Sequence, residues 1–428
     1  MKKPVIILLF LVPALINSQY KNIKINSLEN RPNEVTIAIN PNHPNNIIAG
    51  ANLNNYYYTF DGGASWVNKT LTSKEYGVWG DPAVIFDAGG GAYFFHLSRP
   101  SAGEWIDRIV CQRSSDGGMT WDDPGTFTGL NLPKKQDKHW ICADITNSKW
   151  KNNIYVTWTQ FDGYNSRKPE DSSNIMFSLS SDGGSNWTAA KRINEFGGDC
   201  RDSSNSTEGA VPCVGPNGEI YVGWSNQNML YFNRSTDGGQ SWLVKDIIAG
   251  SQYGGWAYDI PDIFRCNGLP VTACDISSGP FRGNLYINYS DRKNGEDDVD
   301  VFIVKSTDGG NSWSEAIRVN DDPSGNKKHQ FMSWMHVDPM TGAISIIYYD
   351  RRNYNDSRTD VYLARSTSGG ESFSNIRISE EPFIPAKGIF FGDYIGVNTL
   401  NDFTACVWQR LEGSKLSIIY CGIDFKKQ

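Results

Sequence analysis

Short apolar stretches bounded by polar turn residues follow one another along the chain. One group of four reads "GAVPCVG" (209–215), "EIYVGWSN" (219–226), "MLYFNRSTDGG" (229–239) and "WLVKDIIA" (242–249). Stretches of this length, rich in Val, Ile, Tyr, Phe and Trp and separated by Gly, Asn, Asp and Ser, predict β-strands. Each such group therefore predicts four short strands in succession.

The third and fourth strands of a group are joined by a turn that occurs six times. Its copies are "YTFDGGASW", "RSSDGGMTW", "SSDGGSNW", "RSTDGGQSW", "KSTDGGNSW" and "RSTSGGESF", with markers Asp61, Asp116, Asp182, Asp237, Asp308 and Ser368. Asp-Gly is a strong hairpin signal, because Gly accepts a positive φ and Asp binds nearby backbone amides. The markers are 55, 66, 55, 71 and 60 residues apart. A loose period of this kind with uniform β-character indicates a repeat architecture.

Four antiparallel strands per repeat, arranged radially, describe the blades of a β-propeller. The chain offers seven candidate first strands, which begin at Glu34, Pro82, Trp140, Ala210, Asp259, Phe331 and Asp393. The seventh group has no turn motif because it lacks a fourth strand, and "KNIKINS" (21–27) is suited to supply it. This closure would leave no free sheet edge at the seam of the ring. The sequence predicts an all-β fold, with one seven-bladed propeller domain over residues 19–428.

The N-terminal stretch "MKKPVIILLFLVPALINSQ" has two lysines, an apolar run and then small polar residues. This order predicts a signal peptide over residues 1–18 and a secreted or periplasmic protein. The apolar run is too short to span a bilayer and no later run is long enough, so we expect no membrane span. The net charge of −7 argues against a nucleic-acid partner. We expect a monomer.

Eight cysteines form no CxxC motif and no Cys/His cluster with zinc spacing, so we expect no metal and no other cofactor. Export would permit disulfides. Cys200 with Cys213, and Cys266 with Cys274, would each close a loop. The sequence leaves the pairing of the other four cysteines open.

The repeated turn, S/T-x-D-x-G-x-S/T-W, resembles the Asp-box, or BNR repeat, of the sialidase superfamily, and the resemblance extends over the whole mature chain. In that superfamily the boxes lie on the outer rim, away from the central pocket, and they also occur in non-catalytic propellers. The resemblance therefore implies a propeller scaffold in which the turns are structural. It leaves the activity open.

Charged residues gather where first strands begin and second strands end, two places that meet at one face of a propeller axis. The candidate binding residues there are Arg31, Arg99, Arg292, Arg351, Arg410, Lys138 and His139. The planar guanidinium of arginine binds carboxylate or sulfate through two hydrogen bonds. Convergence of these arginines would make a pocket for an acidic ligand. Alternatively, Asp and Arg of neighbouring blades pair across the pore and hold the ring closed.

Sialidases bind the sugar carboxylate with three arginines, and they use a tyrosine nucleophile, a glutamate that activates it and an aspartate as acid/base. The resemblance implies these three roles for Tyr394, Glu208 and Asp81. The chain departs from sialidases in two respects. It has "ENRPNE" around Arg31 where sialidases have F/Y-R-I-P, and it has seven predicted blades instead of six.

Three functions follow from these residues. The leading hypothesis is a secreted retaining glycosidase that acts on an acidic sugar such as a sialic acid. The second is a polysaccharide lyase that acts on a uronic-acid glycan, with Tyr394 or a pore histidine (His96, His139 or His329) as base. The third is a non-catalytic propeller that binds a glycan or a protein.

Overall fold

The computed structural model describes residues 20–27 and 30–427. Within these ranges the chain forms seven four-stranded antiparallel sheets that surround one axis as a β-propeller. The first strands of the blades line the axial cavity, and the later strands follow outward to the rim. The predicted all-β, seven-bladed propeller is confirmed. The predicted signal peptide, residues 1–18, lies outside the described residues.

The strand bounds repeat the same four-part order in each blade. Blade 1 has Thr36–Ile39, Ile47–Ala51, Asn55–Thr59 and Val67–Thr70; blade 2 has Gly80–Phe86, Ala92–Leu97, Ile109–Ser114 and Thr126–Thr128. Blade 3 has Lys135–Ala143, Ile154–Phe161, Ser173–Ser180 and Lys191–Arg192; blade 4 has Glu208–Val214, Ile220–Asn226, Met229–Ser235 and Ile247–Ser251. Blade 5 has Val271–Cys274, Leu285–Asp291, Asp300–Ser306 and Ile317–Arg318; blade 6 has Gln330–Val337, Ile344–Asp350, Asp360–Ser366 and Ser374–Arg377.

Blade 7 is closed by the N-terminal strand, as predicted. Its own strands are Gly396–Leu400, Phe403–Glu412 and Lys415–Asp424, and its outer strand is Ile23–Lys24. Ile23 lies opposite Tyr420, and Lys24 lies opposite Ile419. A short 3-10 helix, Phe425–Lys427, follows. The two ends of the described chain therefore hydrogen-bond in one sheet, and the ring has no open seam.

The predicted first strand of blade 5 at Asp259 is wrong. Residues between blades 4 and 5 instead form a small hairpin, in which Ala257–Tyr258 pairs with Cys266–Asn267, and the inner strand of blade 5 is Val271–Cys274. The apolar residues of "DIPDIF" (259–264) suggested a strand, but they form the connection of this inserted hairpin. The hairpin contributes to the axial face, as described below.

The repeated turns are held by side chains that bond back to the turn. In blade 5, Ser306 Oγ and Ser312 N donate to Asp308 Oδ1 at 2.7 and 3.0 Å, and Ser312 Oγ donates to Oδ2 at 2.6 Å. These hydrogen bonds lower the pKa of Asp308 to about 2. Gly310 has a φ of 87°, and a Cβ there would lie 2.2 Å from the Phe232 ring of the previous blade. The turns thus fasten each blade to its neighbour.

The expected disulfides are not present. Cys200, Cys213, Cys266 and Cys274 are free thiols, as are the other four cysteines. Cys213 and Cys274 lie on the inner strands of adjacent blades, whereas Cys200 and Cys266 lie on connecting segments. Within residues 20–27 and 30–427, no helix has the length and apolarity needed to cross a membrane.

Candidate functional site at the axial mouth

The inner strands share an irregularity at the end where they begin. In blades 2, 3, 4 and 6 two residues face a single residue of the second strand, which is a β-bulge. The first residue of each bulge has a positive φ: Asp81 (51°), Lys138 (48°), Gly209 (80°) and Met332 (50°). Glu34, two residues before the inner strand of blade 1, has a φ of 52°.

This left-handed backbone is unfavourable for any residue except glycine, by roughly 1–3 kcal/mol each. Three of the five positions nevertheless carry a charged side chain: Glu34, Asp81 and Lys138. Bulges next to functional sites serve to redirect a side chain. The irregularity therefore brings charged groups of successive blades together at one end of the axis, which we call the axial mouth.

The strongest ion pairs of the axial mouth meet at Asp393. Lys138 Nζ lies 3.1 Å from Asp393 Oδ2, and Arg265 Nε donates to Asp393 Oδ1 at 2.8 Å. Arg265 makes a second contact, from Nη2 to Oδ2. Asp393 and Lys138 are 3% and 9% exposed at the side chain, so these charges are shielded from water. Blade 3, the inserted hairpin and blade 7 are thus joined through one carboxylate.

Asp202 forms the outer part of the same network. Arg265 Nη1 lies 3.4 Å from Asp202 Oδ2, and the Tyr164 hydroxyl donates to that oxygen at 2.7 Å. Asn267 Nδ2 donates to the backbone oxygen of Asp393 at 2.9 Å. Arg265 and Asn267 both come from the hairpin, so this insertion covers part of the mouth.

Burial raises the pKa of some carboxyl groups of the mouth, whereas nearby cations lower the pKa of others. Burial is the main cause of the raised pKa of Glu34, Asp81, Asp137 and Glu208, that of Asp137 to about 7. For Asp202 and Asp393 the effect of burial is outweighed by Lys138 and Arg265, which lower the pKa. Carboxyl groups with a raised and with a lowered pKa therefore stand next to one another, an arrangement typical of acid–base catalysis.

Glu208 is the most isolated of these groups. It is fully buried, and neither of its carboxyl oxygens has a hydrogen-bond partner among the described residues. His139 is similar: it is buried, neither ring nitrogen has a partner there, and burial lowers its pKa to about 3. His139 is therefore a neutral imidazole, which excludes the role of a cationic anchor for an acidic ligand.

Tyr394 lies on the axis beneath the charged groups. Its ring meets Trp140 at a centroid distance of 4.8 Å and Trp334 at 5.9 Å, and the two tryptophans lie 4.1 Å apart. Its hydroxyl donates to the backbone oxygen of Pro82 at 3.3 Å. Burial, followed by the charges of Glu34 and Asp81, raises the pKa of Tyr394 well above 10. The three rings close the axis below the mouth.

Two neighbouring cavities open around these residues. A small one of about 20 Å³ is lined by Asp81, His139, Tyr394 and the aromatic floor. Its volume suits about one water molecule. A larger one of about 300 Å³ is lined by Asp202, Arg265 and Arg292 together with aromatic residues of the hairpin. This volume is at the lower end of ligand pockets and suits one sugar ring. Lys138 and Asp393 line both cavities and separate them.

A third cavity, of about 230 Å³, lies deeper along the axis. The inner strands of all seven blades line it, mostly with apolar side chains such as Ile37, Val84, Ile141 and Val337. Trp140 and Trp334 line both this cavity and the small one above it. The charged chemistry is thus confined to the mouth.

The structure brings five of the ten sequence-predicted site residues together at the mouth: Asp81, Lys138, His139, Glu208 and Tyr394. Four of them line the small cavity, and Glu208 comes directly before Gly209, which also lines it. Arg292 lines the larger pocket, where it donates to the Gly254 oxygen at 2.9 Å and to Glu296 at 2.8 Å.

The other four predicted arginines do not converge on the mouth cavities. Arg99 lies over the Trp79 ring at 4.0 Å, and Arg410 pairs with Glu381 and Glu412. Arg31 is exposed. Arg351 is 4% exposed, donates to Thr359 Oγ1 at 3.0 Å and lies 5.4 Å from the Phe331 ring centre. The expectation that all five arginines surround one ligand does not hold.

Five mouth residues lie outside the predicted site residues: Arg265, Asp202, Asp137, Asp393 and Glu34. Arg265 and Asp202 lie on connections between blades. The pattern of apolar and polar residues that locates the strands does not indicate where the side chains of these connections lie. Asp137 adjoins the selected Lys138 and could have been found from the crowding of charges before an inner strand. Among the described residues, no group of three or more His, Cys, Asp or Glu side chains is arranged to hold a metal ion.

No protein-family model matches the chain, and no curated protein matches it significantly. Solved structures do. A protein of unknown function from Dyadobacter fermentans has 10% identity and a TM-score of 0.50, over 95% of this chain and 98% of its own. The Hadza microbial sialidase Hz136 has 12% identity and a TM-score of 0.50, over 89% of this chain and 74% of its own. The NanB sialidase of Streptococcus pneumoniae has 9% identity and a TM-score of 0.50, over 89% of this chain and 84% of its own. At these identities the likeness shows the propeller fold alone.

Proposed function

We propose that this chain is an exported, sialidase-like glycoside hydrolase that acts at the axial mouth on a sugar carrying a carboxylate. One observation carries the proposal: carboxyl groups with a raised and with a lowered pKa lie side by side next to a buried tyrosine hydroxyl and a sugar-sized pocket. Glycoside hydrolysis requires one group that donates a proton and another that attacks or activates the attacking group. The repeated turns, which resemble Asp-boxes, and the N-terminal apolar run are consistent with an exported protein of this class.

Asp81 is the proposed proton donor. It lines the small cavity, and burial raises the pKa of its carboxyl above the usual value, although the charge of Lys138 opposes this shift. Its strained backbone fixes the direction of the side chain. Such a group can protonate the oxygen of the departing sugar, and later accept a proton from water.

Tyr394 is the proposed nucleophile, which attacks the anomeric carbon. Glu208 is the proposed proton acceptor for this hydroxyl. It directly precedes Gly209, which lines the small cavity together with Tyr394, and neither of its carboxyl oxygens has a hydrogen-bond partner among the described residues. Burial raises the pKa of Glu208, and a carboxylate with a raised pKa is a strong base in its ionised form.

Arg265 and Arg292 are the proposed partners of the sugar carboxylate. Both line the larger pocket, and Arg292 Nε has no hydrogen-bond partner among the described residues. A sugar in this pocket reaches Tyr394 only if the bridge formed by Lys138, Asp393 and Arg265 opens. The incoming carboxylate can replace Asp393 at the guanidinium of Arg265 without loss of a charge partner.

Incubation with sialyllactose, oligogalacturonate and a neutral cello-oligosaccharide tests the proposal, with mass spectrometry of the products. We expect free sialic acid from the first substrate and none from the Tyr394→Phe variant. An unsaturated product from oligogalacturonate would identify a lyase instead. Binding without any product would identify a non-catalytic glycan-binding propeller.

A further inference from the structure

Three aromatic side chains, of which Trp105 is exposed and Tyr164 and Trp79 are partly buried, form a row that begins at the wall of the larger pocket. Tyr164 contacts Trp105 at a centroid distance of 5.5 Å, and Trp105 contacts Trp79 at 6.1 Å, both edge to face. The Tyr164 hydroxyl donates to Asp202, which lines the pocket. We call this row, Tyr164, Trp105 and Trp79, the aromatic rim. It extends from the mouth over the loops of blades 3 and 2.

The exposed residue of the aromatic rim, Trp105, is held in place although it is open to solvent. Trp105 is 39% exposed. Lys135 Nζ donates to the Trp105 backbone oxygen at 3.1 Å and to Glu104 at 2.8 Å, and the amide of the next residue, Ile106, donates to the Ser98 oxygen at 2.8 Å. A rigid and exposed tryptophan costs little entropy when a ligand covers it, which favours a binding role.

The chemistry around the rim indicates an acidic sugar. The guanidinium of Arg99 lies 4.0 Å from the Trp79 ring centre, and Arg99 itself is exposed. An aromatic face accepts the C–H groups of a pyranose, because the face is electron-rich and those groups are weakly positive. The adjacent cation can pair with a sugar carboxylate. Hydroxyl groups of the sugar find polar neighbours in Glu104 and Lys135.

We propose that the aromatic rim is a second sugar-binding subsite, which holds the next units of an acidic oligosaccharide whose terminal unit occupies the larger pocket. This inference rests on the proposed function and deepens it, since it specifies a chain as the substrate in place of a single sugar. Arg99, which lies far from the mouth cavities, then has a ligand-binding role at the rim.

Calorimetric titration of the Tyr394→Phe variant, which binds without turnover, tests the subsite with an α2,8-linked sialic acid hexamer and with free sialic acid. We expect the additional change Trp105→Ala to weaken hexamer binding about tenfold and to leave free sialic acid unaffected. Trp105→Phe should restore most of the affinity. Phe60→Ala is the matched control, because Phe60 is an exposed aromatic residue (51%) on a repeated turn at the outer edge of the propeller, outside the aromatic rim.

Equal hexamer affinity in the Trp105→Ala and Phe60→Ala variants would overturn the subsite, and so would a hexamer that binds no more tightly than free sialic acid. The outcome is separate from that of the proposed function. If the wild-type protein hydrolyses nothing but Trp105→Ala still weakens the hexamer selectively, the subsite stands and the hydrolase proposal fails. If the wild type hydrolyses sialyllactose and Trp105→Ala leaves hexamer affinity unchanged, the hydrolase proposal stands and the subsite fails.

Discussion

Arg265 of the inserted hairpin and Asp393 of blade 7 are joined by two parallel contacts, one of them 2.8 Å from Nε to Oδ1. The two residues are 128 positions apart in the chain, and their pair spans the axial mouth. Lys138 binds the same carboxylate from blade 3. One buried aspartate therefore balances two cations and connects three separate parts of the chain.

Asp393→Asn should destabilise the protein by about 3 kcal/mol, because removal of one partner leaves the Lys138 ammonium buried without its main counter-charge. Urea unfolding measures the change. Glu296→Gln is the control, since Glu296 pairs with Arg292 at 2.8 Å but is 68% exposed at the side chain. We expect that variant to lose less than about 1 kcal/mol. Similar losses in both variants would mean that the Asp393 bridge does not hold the mouth together.

The contribution of Asp137 to stability should decrease as the pH rises from about 4 to about 7. Burial raises the folded-state pKa of Asp137 from 3.8 to about 7. In this window its carboxyl holds more proton in the folded protein than in the unfolded chain, so each increase in pH reduces the stability that it contributes. Well above pH 7 Asp137 is ionised in both states, so its contribution to stability no longer changes with pH.

The variant Asp137→Asn tests this directly, because the amide does not titrate. The melting temperature of the wild type, measured relative to that of this variant, should fall between pH 5 and pH 7. Identical slopes for the two proteins would show that Asp137 is already ionised in the folded state at pH 5.

The repeated turns contain an internal comparison of aspartate and serine. In blade 6 the marker is Ser368, whose single oxygen accepts from Ser372 N at 3.1 Å and lies 3.2 Å from the Ser366 and Ser372 hydroxyls. In blade 4, Asp237 Oδ1 accepts from Ser235 Oγ at 2.8 Å and from Ser241 N at 2.9 Å, and Oδ2 accepts from the Ser241 hydroxyl. The carboxylate satisfies more donors than the hydroxyl does.

Ser368→Asp should therefore stabilise the protein by about 0.5–1.5 kcal/mol, and Asp237→Ser should destabilise it by a similar amount. Thermal melts of the two variants measure both changes. Since each turn lies on the outer rim, neither variant should change ligand binding. If Ser368→Asp is destabilising, the turn of blade 6 differs from the others in more than its marker residue.

The propeller could be predicted from the sequence because its signals are local. Each DGG turn and each short apolar stretch specifies a hairpin within about 60 residues. Even the closing strand, Ile23–Lys24, could be found from the absence of a fourth strand in the last repeat. The inner strand of blade 5 was misplaced because "DIPDIF" (259–264) is more apolar than a typical connection, whereas the true strand, Val271–Cys274, has only four residues.

The site was predicted only in part, because side-chain direction depends on features that periodicity does not encode. The bulges at Asp81 and Lys138 direct these side chains into the mouth. Arg99 follows the second strand of blade 2 and Arg410 lies near the end of the second strand of blade 7, but they turn to Trp79 and to Glu412. A shift of one residue in register reverses the face to which a side chain points. Arg265 belongs to an insertion that no repeat pattern describes.

The hydrolysis of sialyllactose by wild-type protein and by Asp81→Asn tests the central claim, that the carboxyl groups of the axial mouth catalyse glycosidic cleavage. The account predicts release of sialic acid by the wild type, and a rate reduced at least about 100-fold in the variant, the lower end of the contribution from general acid catalysis. It also predicts that Asp81→Asn binds the sugar as tightly as the wild type does. No release by the wild type, or equal rates for the two proteins, would contradict the claim.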